Sequence, residues 1–227
     1  MSEFRAGHHA FLWNLEKRIL PDIAKHLPRW VTPDTLTVFG LVGALFVFVG
    51  YVASNLAPAF LGLACLGLVM NWFGDSLDGT LARVRNQESP RYGFFVDHTA
   101  DLITQILVGL GLGLSRYIEL PYALLLLTAY LAFVGHTFIR AHVFKTVQIA
   151  YYSVGPTETR LALIIANLIL FFLPGLVLAR PVSGLPVTVA DFVCLAIAIF
   201  SFGALLFHIY QDWQALLKEE SLALRSK

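Results

Sequence analysis

The sequence predicts an all-α polytopic membrane protein with six transmembrane helices and an N-terminal amphipathic interfacial helix. Of its 227 residues, 57% are hydrophobic and only 14% are charged, whereas a soluble domain usually carries about 25% charged residues. Six long apolar stretches and an uneven distribution of positive charge support the same fold class. Since a water-facing surface of this size needs more charge, lipid must be the solvent for much of the chain.

Residues 1–32 are predicted to form a cytoplasmic segment that lies on the membrane. Apolar residues recur at helical spacing from Phe11 to Trp30, with charged side chains between them, which is typical of an interfacial helix. Pro21 should kink this helix because proline lacks a backbone N–H. The alternative interpretation is a polar tail with a few apolar residues.

Six stretches are long and apolar enough to cross a bilayer, which takes about 20 residues per helix. Thr32, Pro33 and Asp34 should cap the first one, with proline in the first turn. Together the spans would form one domain of residues 33–212, followed by a cytoplasmic tail of residues 213–227. The predicted spans are Thr35–Ala53, Ala57–Leu77, Phe94–Leu114, Leu120–Ala141, Leu161–Leu178 and Val187–Tyr210.

The distribution of lysine and arginine predicts the orientation. Of the 16 such residues, all but Arg116 and Arg180 lie in the N-terminal segment, in the connections after the second and fourth spans, or in the tail. Positive residues mark the cytoplasmic side of membrane proteins. We therefore expect an integral membrane protein, in the inner membrane if the source is bacterial, with both termini in the cytoplasm.

Four aspartates lie at the facing ends of the second and third predicted spans. Asp75 and Asp78 are three residues apart, and Asp97 and Asp101 are four apart, so each pair shares one helix face. The short connection makes the two helices antiparallel neighbours, so the pairs should face each other near the cytoplasm. His98 follows Asp97 but should point to a different face. Because one aspartate within a bilayer costs roughly 2.5–3.5 kcal/mol, four together require cations or protons.

The cluster predicts a site for Mg²⁺ or Mn²⁺. Carboxylate oxygens are the ligands these ions prefer, and four carboxylates can hold two divalent ions per site, a common arrangement for phosphoryl displacement. Gly79, Ala82 and Gly93 lie beside the acids and would let a bulky ligand approach the backbone, although small residues also serve simple helix packing. Arg83 could bind the phosphates of that ligand.

A divalent-cation transporter using the same aspartates is the alternative function. Transporters often contain internal repeats and broken helices that meet at the middle of the membrane. The sequence has no evident repeat, and its acids lie near one membrane face. These observations favour an enzyme.

The acidic stretch resembles the signature of the CDP-alcohol phosphotransferase family (also called CDP-alcohol phosphatidyltransferases), D-x2-D-G-x2-A-R-x(8 or 9)-G-x3-D-x3-D. The spacer here has nine residues. Many members begin the first span with Pro-Asn, and Pro33-Asp34 departs from that pattern. All eight fixed positions are present, as Asp75, Asp78, Gly79, Ala82, Arg83, Gly93, Asp97 and Asp101.

The resemblance implies an enzyme of phospholipid biosynthesis. It would transfer a substituted phosphate group from a CDP-linked donor, either CDP-diacylglycerol or a CDP-amino alcohol, to an alcohol or lipid acceptor and release CMP. Its members are typically homodimers, and no nucleic acid partner is expected. The implied metal ligands are Asp75, Asp78, Asp97 and Asp101, with Asp101 also the catalytic general base. The implied nucleotide contacts are Asp75, Gly79, Ala82, Arg83 and Gly93.

The connection between the fourth and fifth spans leaves the substrate open. Its Gly-Pro-Thr-Glu stretch, residues 155–158, is similar to one in the choline and ethanolamine phosphotransferase branch, whose acceptor is diacylglycerol. Glu158 could meet a cationic head group beside Tyr151 or Tyr152, or the stretch could be a helix cap with Thr157 and interfacial aromatics. A basic pocket for an anionic acceptor is the other option. The candidate acceptor residues are Arg140, Lys145, Tyr151, Glu158 and Arg160.

Overall fold

The computed structural model describes residues 12–144, 155–177 and 187–225, and the regular structure within these ranges is entirely helical. A short 3₁₀ turn, Pro58–Phe60, leads into the third helix. The all-α fold class is confirmed. The helices are α1 (Trp13–His26), α2 (Pro33–Ala53), α3 (Leu61–Val84), α4 (Pro90–Gly113), α5 (Leu120–Phe144), α6 (Pro156–Phe172), α7 (Pro174–Val177) and α8 (Val189–Arg225).

Four helical stretches are long and apolar enough to cross a membrane, and they correspond to the first, second, fourth and sixth predicted spans. The other two predicted spans correspond to α4, whose first half carries Asp97 and Asp101, and to α6, which has 17 residues. Length and composition therefore support four of the six predicted spans. The four stretches are Pro33–Ala53, Pro58–Val84, Leu120–Phe144 and Val189–Glu219.

The last two predicted spans end at residues that differ from the prediction. The fifth span was expected to reach Leu178, but α6 ends at Phe172 and α7 begins at Pro174, because proline has no N–H with which to continue the helical hydrogen bonds. The sixth span was expected to end at Tyr210, but α8 continues to Arg225. The helix continues beyond the apolar pattern because the residues after Tyr210 include alanine, leucine, lysine and glutamate, which have good helix propensity.

The start of α2 agrees with the prediction. Thr32 is the N-cap, and Pro33 occupies the first helical position. The Thr32 hydroxyl accepts a hydrogen bond from the Thr35 N–H at 3.2 Å, and the Thr35 hydroxyl accepts one from the Thr32 N–H at 2.8 Å. This reciprocal pair satisfies two backbone donors that the helix leaves unpaired.

A helix, α1, is present within the segment predicted to be interfacial, and Pro21 lies inside it; its place on a membrane stays a prediction. One apolar face packs on α2 and α3, where Leu20 and Ala24 are buried. Leu15 and Ile19 remain 54% and 46% exposed. A helix that presents apolar side chains beside charged ones fits a membrane surface.

The backbones of α2 and α3 approach each other closely at glycines. A Cβ atom on Gly43 would lie 2.6 Å from the Asn71 nitrogen and 2.7 Å from the Gly67 oxygen. A Cβ atom on Gly67 would lie 2.6 Å from the Val47 nitrogen. Small residues of this kind allow two membrane helices to pack backbone to backbone. This contact fixes how the polar end of α3 lies against α2.

We expect Gly43→Ala to destabilise the folded protein by about 1–3 kcal/mol, the usual effect of overpacking a filled interface. The added methyl group would overlap backbone atoms of α3, which cannot rotate away. Thermal unfolding of the purified protein in detergent measures the change. Gly62→Ala is the control, because nothing lies within 4 Å of a Cβ atom at Gly62. Equal unfolding temperatures for the two variants would contradict the close contact.

Candidate functional site

Three of the four predicted metal ligands come together. Asp75, Asp97 and Asp101 each offer a carboxylate oxygen, and these oxygens lie within 4.8 Å of one another. Asp75 belongs to α3, and the other two belong to α4. We call these residues the aspartate triad. Its donor set consists of oxygens alone, which fits a hard divalent cation such as Mg²⁺ or Mn²⁺; that these residues bind an ion stays a prediction.

Asp78 lies beside the triad but is directed toward α2. It is 9% exposed, and its Oδ2 accepts a hydrogen bond from the Thr37 hydroxyl at 2.7 Å. Its Oδ1 accepts one from the Gly79 N–H at 2.5 Å. Each carboxylate oxygen has a further lone pair, so these bonds leave the predicted metal-ligand role of Asp78 open. The sequence did not indicate Thr37 as a partner, because the two residues lie on different helices.

Arg160 of α6 forms an ion pair with the triad. It is 8% exposed, and its Nη1 lies 2.8 Å from Asp75 Oδ2. Its Nε donates to Asn71 Oδ1 at 2.8 Å. Asn71 Nδ2 in turn donates to the Gly40 carbonyl at 3.0 Å and to the Thr104 hydroxyl at 3.3 Å. The sequence analysis missed Asn71, although a polar side chain one helical turn before Asp75 in an apolar span was a usable signal.

The predicted nucleotide contacts lie next to open space. Gly93 is exposed, and nothing lies within 4 Å of a Cβ atom built on it. At Gly79 the nearest such neighbour is the Arg83 guanidinium, at 3.5 Å. Arg83 is exposed, and its Nη2 donates to the Thr80 hydroxyl at 3.1 Å; Ala82 is half-buried. A large ligand can therefore approach both glycines, while its identity stays a prediction.

His98 was expected on a different helix face from Asp97, and its ring nevertheless contacts that carboxylate. Its Nδ1 lies 3.1 Å from Asp97 Oδ2. The ring stacks on Phe94, one turn earlier in α4, with 4.0 Å between centroids, and lies 5.4 Å from the Phe138 ring of α5. These aromatic contacts orient the imidazole toward the neighbouring carboxylate, which residue spacing along one helix does not reveal.

Glu158 caps α6, and the suggestion that Thr157 is the cap is wrong. Glu158 Oε2 accepts from the Gly155 N–H at 3.0 Å, because Gly155 is the N-cap and the glutamate occupies the third helical position. Its Oε1 accepts from the Leu12 N–H at 2.8 Å. The Thr157 hydroxyl instead donates to Glu16 Oε1 of α1 at 2.7 Å. Whether Glu158 also meets a head group stays a prediction.

Glu16 holds α1 against two other helices. Besides Thr157, its Oε1 accepts from Trp72 Nε1 of α3 at 2.8 Å. The side chain thus connects α1 to the start of α6 and to α3, close in sequence to Asp75. Residue spacing along α1 does not predict these contacts, because they join separate helices.

The two described arginines of the suggested basic pocket pair with different carboxylates. Arg140 Nε lies 3.0 Å from Asp212 Oδ1 of α8, and His136 Nε2 lies 3.4 Å from Asp212 Oδ2. Arg160 pairs with Asp75 of α3 instead. Lys145, Tyr151 and Tyr152 lie outside the described residues. In the described part of the chain, the charges of this suggested pocket are thus divided between two ion pairs.

Comparison with known proteins gives a family match. The family model described as CDP-alcohol phosphatidyltransferase matches residues 30–202. Cholinephosphotransferase 1 of Danio rerio is 28% identical over 160 residues, which cover 66% of this chain and 41% of that protein. Cholinephosphotransferase 1 of Rattus norvegicus is 33% identical over 95 residues, which cover 39% of this chain and 24% of that protein. The chain thus spans less than half the length of these curated relatives.

We expect Thr37→Val to destabilise the protein by about 1–3 kcal/mol, because it removes a hydrogen-bond donor from the buried Asp78 carboxylate. Thermal unfolding of the purified protein measures the loss. Thr128→Val is a matched control, since the exposed Thr128 donates to the Leu124 carbonyl of its own helix. A Thr37→Val variant as stable as this control would show that Asp78 does not depend on its bond to α2.

Proposed function

The chain belongs to the CDP-alcohol phosphatidyltransferase family, and we propose that it transfers a substituted phosphate group from a CDP-linked donor to an alcohol acceptor. The matched region, residues 30–202, contains the whole aspartate triad and all eight fixed positions of the signature. The convergence of Asp75, Asp97 and Asp101 is the single observation that carries this proposal. Membership of a transferase family sets aside the divalent-cation transporter.

The proposed chemistry starts from the oxygen donors of the triad. A bound Mg²⁺ or Mn²⁺ would neutralise charge on the transferred and leaving phosphates, and we propose two ions per site with Asp78 as the fourth ligand. Arg83 binds the pyrophosphate of the donor as a permanently charged guanidinium. Gly79, Ala82 and Gly93 leave space for the cytidine.

Asp101 is proposed as the general base. The acceptor hydroxyl oxygen forms a bond to the phosphorus atom that carries the head group, and the bond from that phosphorus to the CMP oxygen breaks. The hydroxyl proton passes to the Asp101 carboxylate as the new bond forms. The leaving group departs as CMP, so the reaction needs no oxidant or further reactant.

A CDP-linked amino alcohol is the proposed donor, and diacylglycerol is the proposed acceptor. Both relatives named above are cholinephosphotransferases, and the Gly155–Glu158 stretch resembles that branch. The competing donor, CDP-diacylglycerol, would need an anionic acceptor such as an inositol or glycerol phosphate, which a basic pocket would bind. Arg140 and Arg160 each face a carboxylate, and this pairing gives such a pocket less support.

The proposed topology places this reaction at the cytoplasmic surface. We propose that α4 and α6 also cross the membrane, so that residues 33–212 form a six-span domain between the interfacial segment 1–32 and the cytoplasmic tail 213–227. The distribution of lysine and arginine supports cytoplasmic termini. Such a site lets a water-soluble nucleotide meet a lipid. A homodimer is proposed from the family alone.

We expect Asp97→Asn to abolish CMP release, because an amide is a poor replacement for a carboxylate that binds a cation. Thermal unfolding should show that the variant still folds, and a divalent-metal chelator should stop the native enzyme in the same way. Asp22→Asn is the control, since Asp22 is an exposed residue of α1 paired with Lys25. More than roughly a tenth of native activity in Asp97→Asn would count against the metal-ligand role.

We expect CDP-choline or CDP-ethanolamine with diacylglycerol to support the fastest CMP release by the purified protein. The parallel assays supply CDP-diacylglycerol with inositol phosphate or with glycerol phosphate, each with Mg²⁺ or Mn²⁺. CMP is measured by chromatography, and the lipid product by mass spectrometry. If CDP-diacylglycerol were the only donor that supports turnover, the proposed donor would be wrong, but the reaction class would stand. If no donor and acceptor pair released CMP, the proposed function would be overturned.

A further inference from the structure

Arg160 of α6 is connected to both helices that carry the aspartate triad, α3 and α4. Its Nη1 lies 2.8 Å from Asp75, and its Nε donates to Asn71 at 2.8 Å. Asn71 is fixed by bonds to the Gly40 carbonyl of α2 and to Thr104 of α4. The guanidinium from α6 therefore meets α3 at two points, and through Asn71 it is connected to α2 and α4.

We propose that Arg160 is a positioning residue, which holds the Asp75 carboxylate in place against Asp97 and Asp101 and so sets the affinity of the triad for its divalent cation. The inference rests on the proposed metal-dependent function. It differs from the earlier expectation that Arg160 contacts the acceptor.

The chemistry of arginine suits this role. A guanidinium is planar and presents its N–H groups in fixed directions, so a contact at Nε with Asn71 determines where Nη1 meets Asp75. Partners that orient a ligating side chain typically change metal affinity by about 10–100-fold when they are mutated. Lysine keeps the charge but has no second, fixed donor direction, so Arg160→Lys separates geometry from charge.

Burial argues against a direct role for Arg160 at the acceptor. The residue is 8% exposed, and two of its nitrogens already face Asn71 and Asp75. A buried cation is tolerated when it is paired and hydrogen-bonded, and removing one partner is strongly unfavourable. An acceptor-binding arginine would instead be exposed, as Arg83 is.

Mn²⁺ binding to the full purified chain, measured by electron paramagnetic resonance without substrate, tests the proposal directly. We expect Arg160→Lys and Asn71→Leu, which both keep the formal charge of the site, to weaken Mn²⁺ binding by about tenfold. Asn167→Leu is the matched control, because Asn167 of α6 is 1% exposed and contacts Cys65 of α3 at 3.6 Å. It should bind Mn²⁺ within about twofold of the native affinity.

A kinetic measurement separates positioning from acceptor binding. Arg160→Lys should need more Mn²⁺ for half-maximal rate, should regain most of its kcat at saturating Mn²⁺, and should keep the acceptor KM within about twofold. An acceptor KM raised by about tenfold with native Mn²⁺ affinity would place Arg160 at the acceptor and overturn the inference. Native or tighter Mn²⁺ binding in both folded variants would overturn it as well.

A milder variant covers the case in which Arg160→Lys does not fold. Thr104→Val removes one hydroxyl from the Asn71 network and should also bind Mn²⁺ more weakly than the native chain; unchanged binding would count against the network. If the native chain releases no CMP from any donor, the proposed reaction fails, while the Mn²⁺ titrations still decide the role of Arg160.

Discussion

The close contact between the backbones of α2 and α3 is the constraint on which the site depends. With glycine at positions 43 and 67, the helices approach so closely that an added Cβ atom would lie 2.6 Å from a backbone nitrogen of the other helix. At this separation the Thr37 hydroxyl reaches Asp78, and Asn71 reaches a carbonyl of α2. A larger separation between α2 and α3 would break both hydrogen bonds, so the packing of these two helices determines the geometry of the site.

The balance of charge at the site follows from that packing. Three carboxylates lie within 4.8 Å of one another, and charges at such distances repel strongly where water is scarce. The Arg160 guanidinium offsets one of the three negative charges and is itself stabilised by Asn71. We propose that a divalent cation balances the other carboxylates; α3 and α4 supply the acids, and α6 supplies the guanidinium.

Residue spacing predicted the parts of the site that lie along single helices. The spacing of the four aspartates predicted the convergence of Asp75, Asp97 and Asp101, though not the separate direction of Asp78, and Thr32-Pro33 predicted the start of α2. Spacing could not predict that Asp78 turns toward Thr37 or that Arg160 pairs with Asp75, because these contacts depend on how separate helices pack. The His98 contact was missed for a related reason, since its ring orientation is set by aromatic neighbours.

Residues outside the signature connect the helices of the site to α1. Glu16 of α1 bonds to Trp72 of α3 and to Thr157, which lies one turn before Arg160 on α6. At the other end of α1, Arg85 donates to the Leu27 carbonyl at 3.0 Å, so that helix is fastened at both ends. A helix with exposed apolar side chains is therefore tied to the same helix start that carries Arg160. It follows that hydrogen bonds join α1 to the two helices that carry Asp75 and Arg160, although no residue of α1 belongs to the triad.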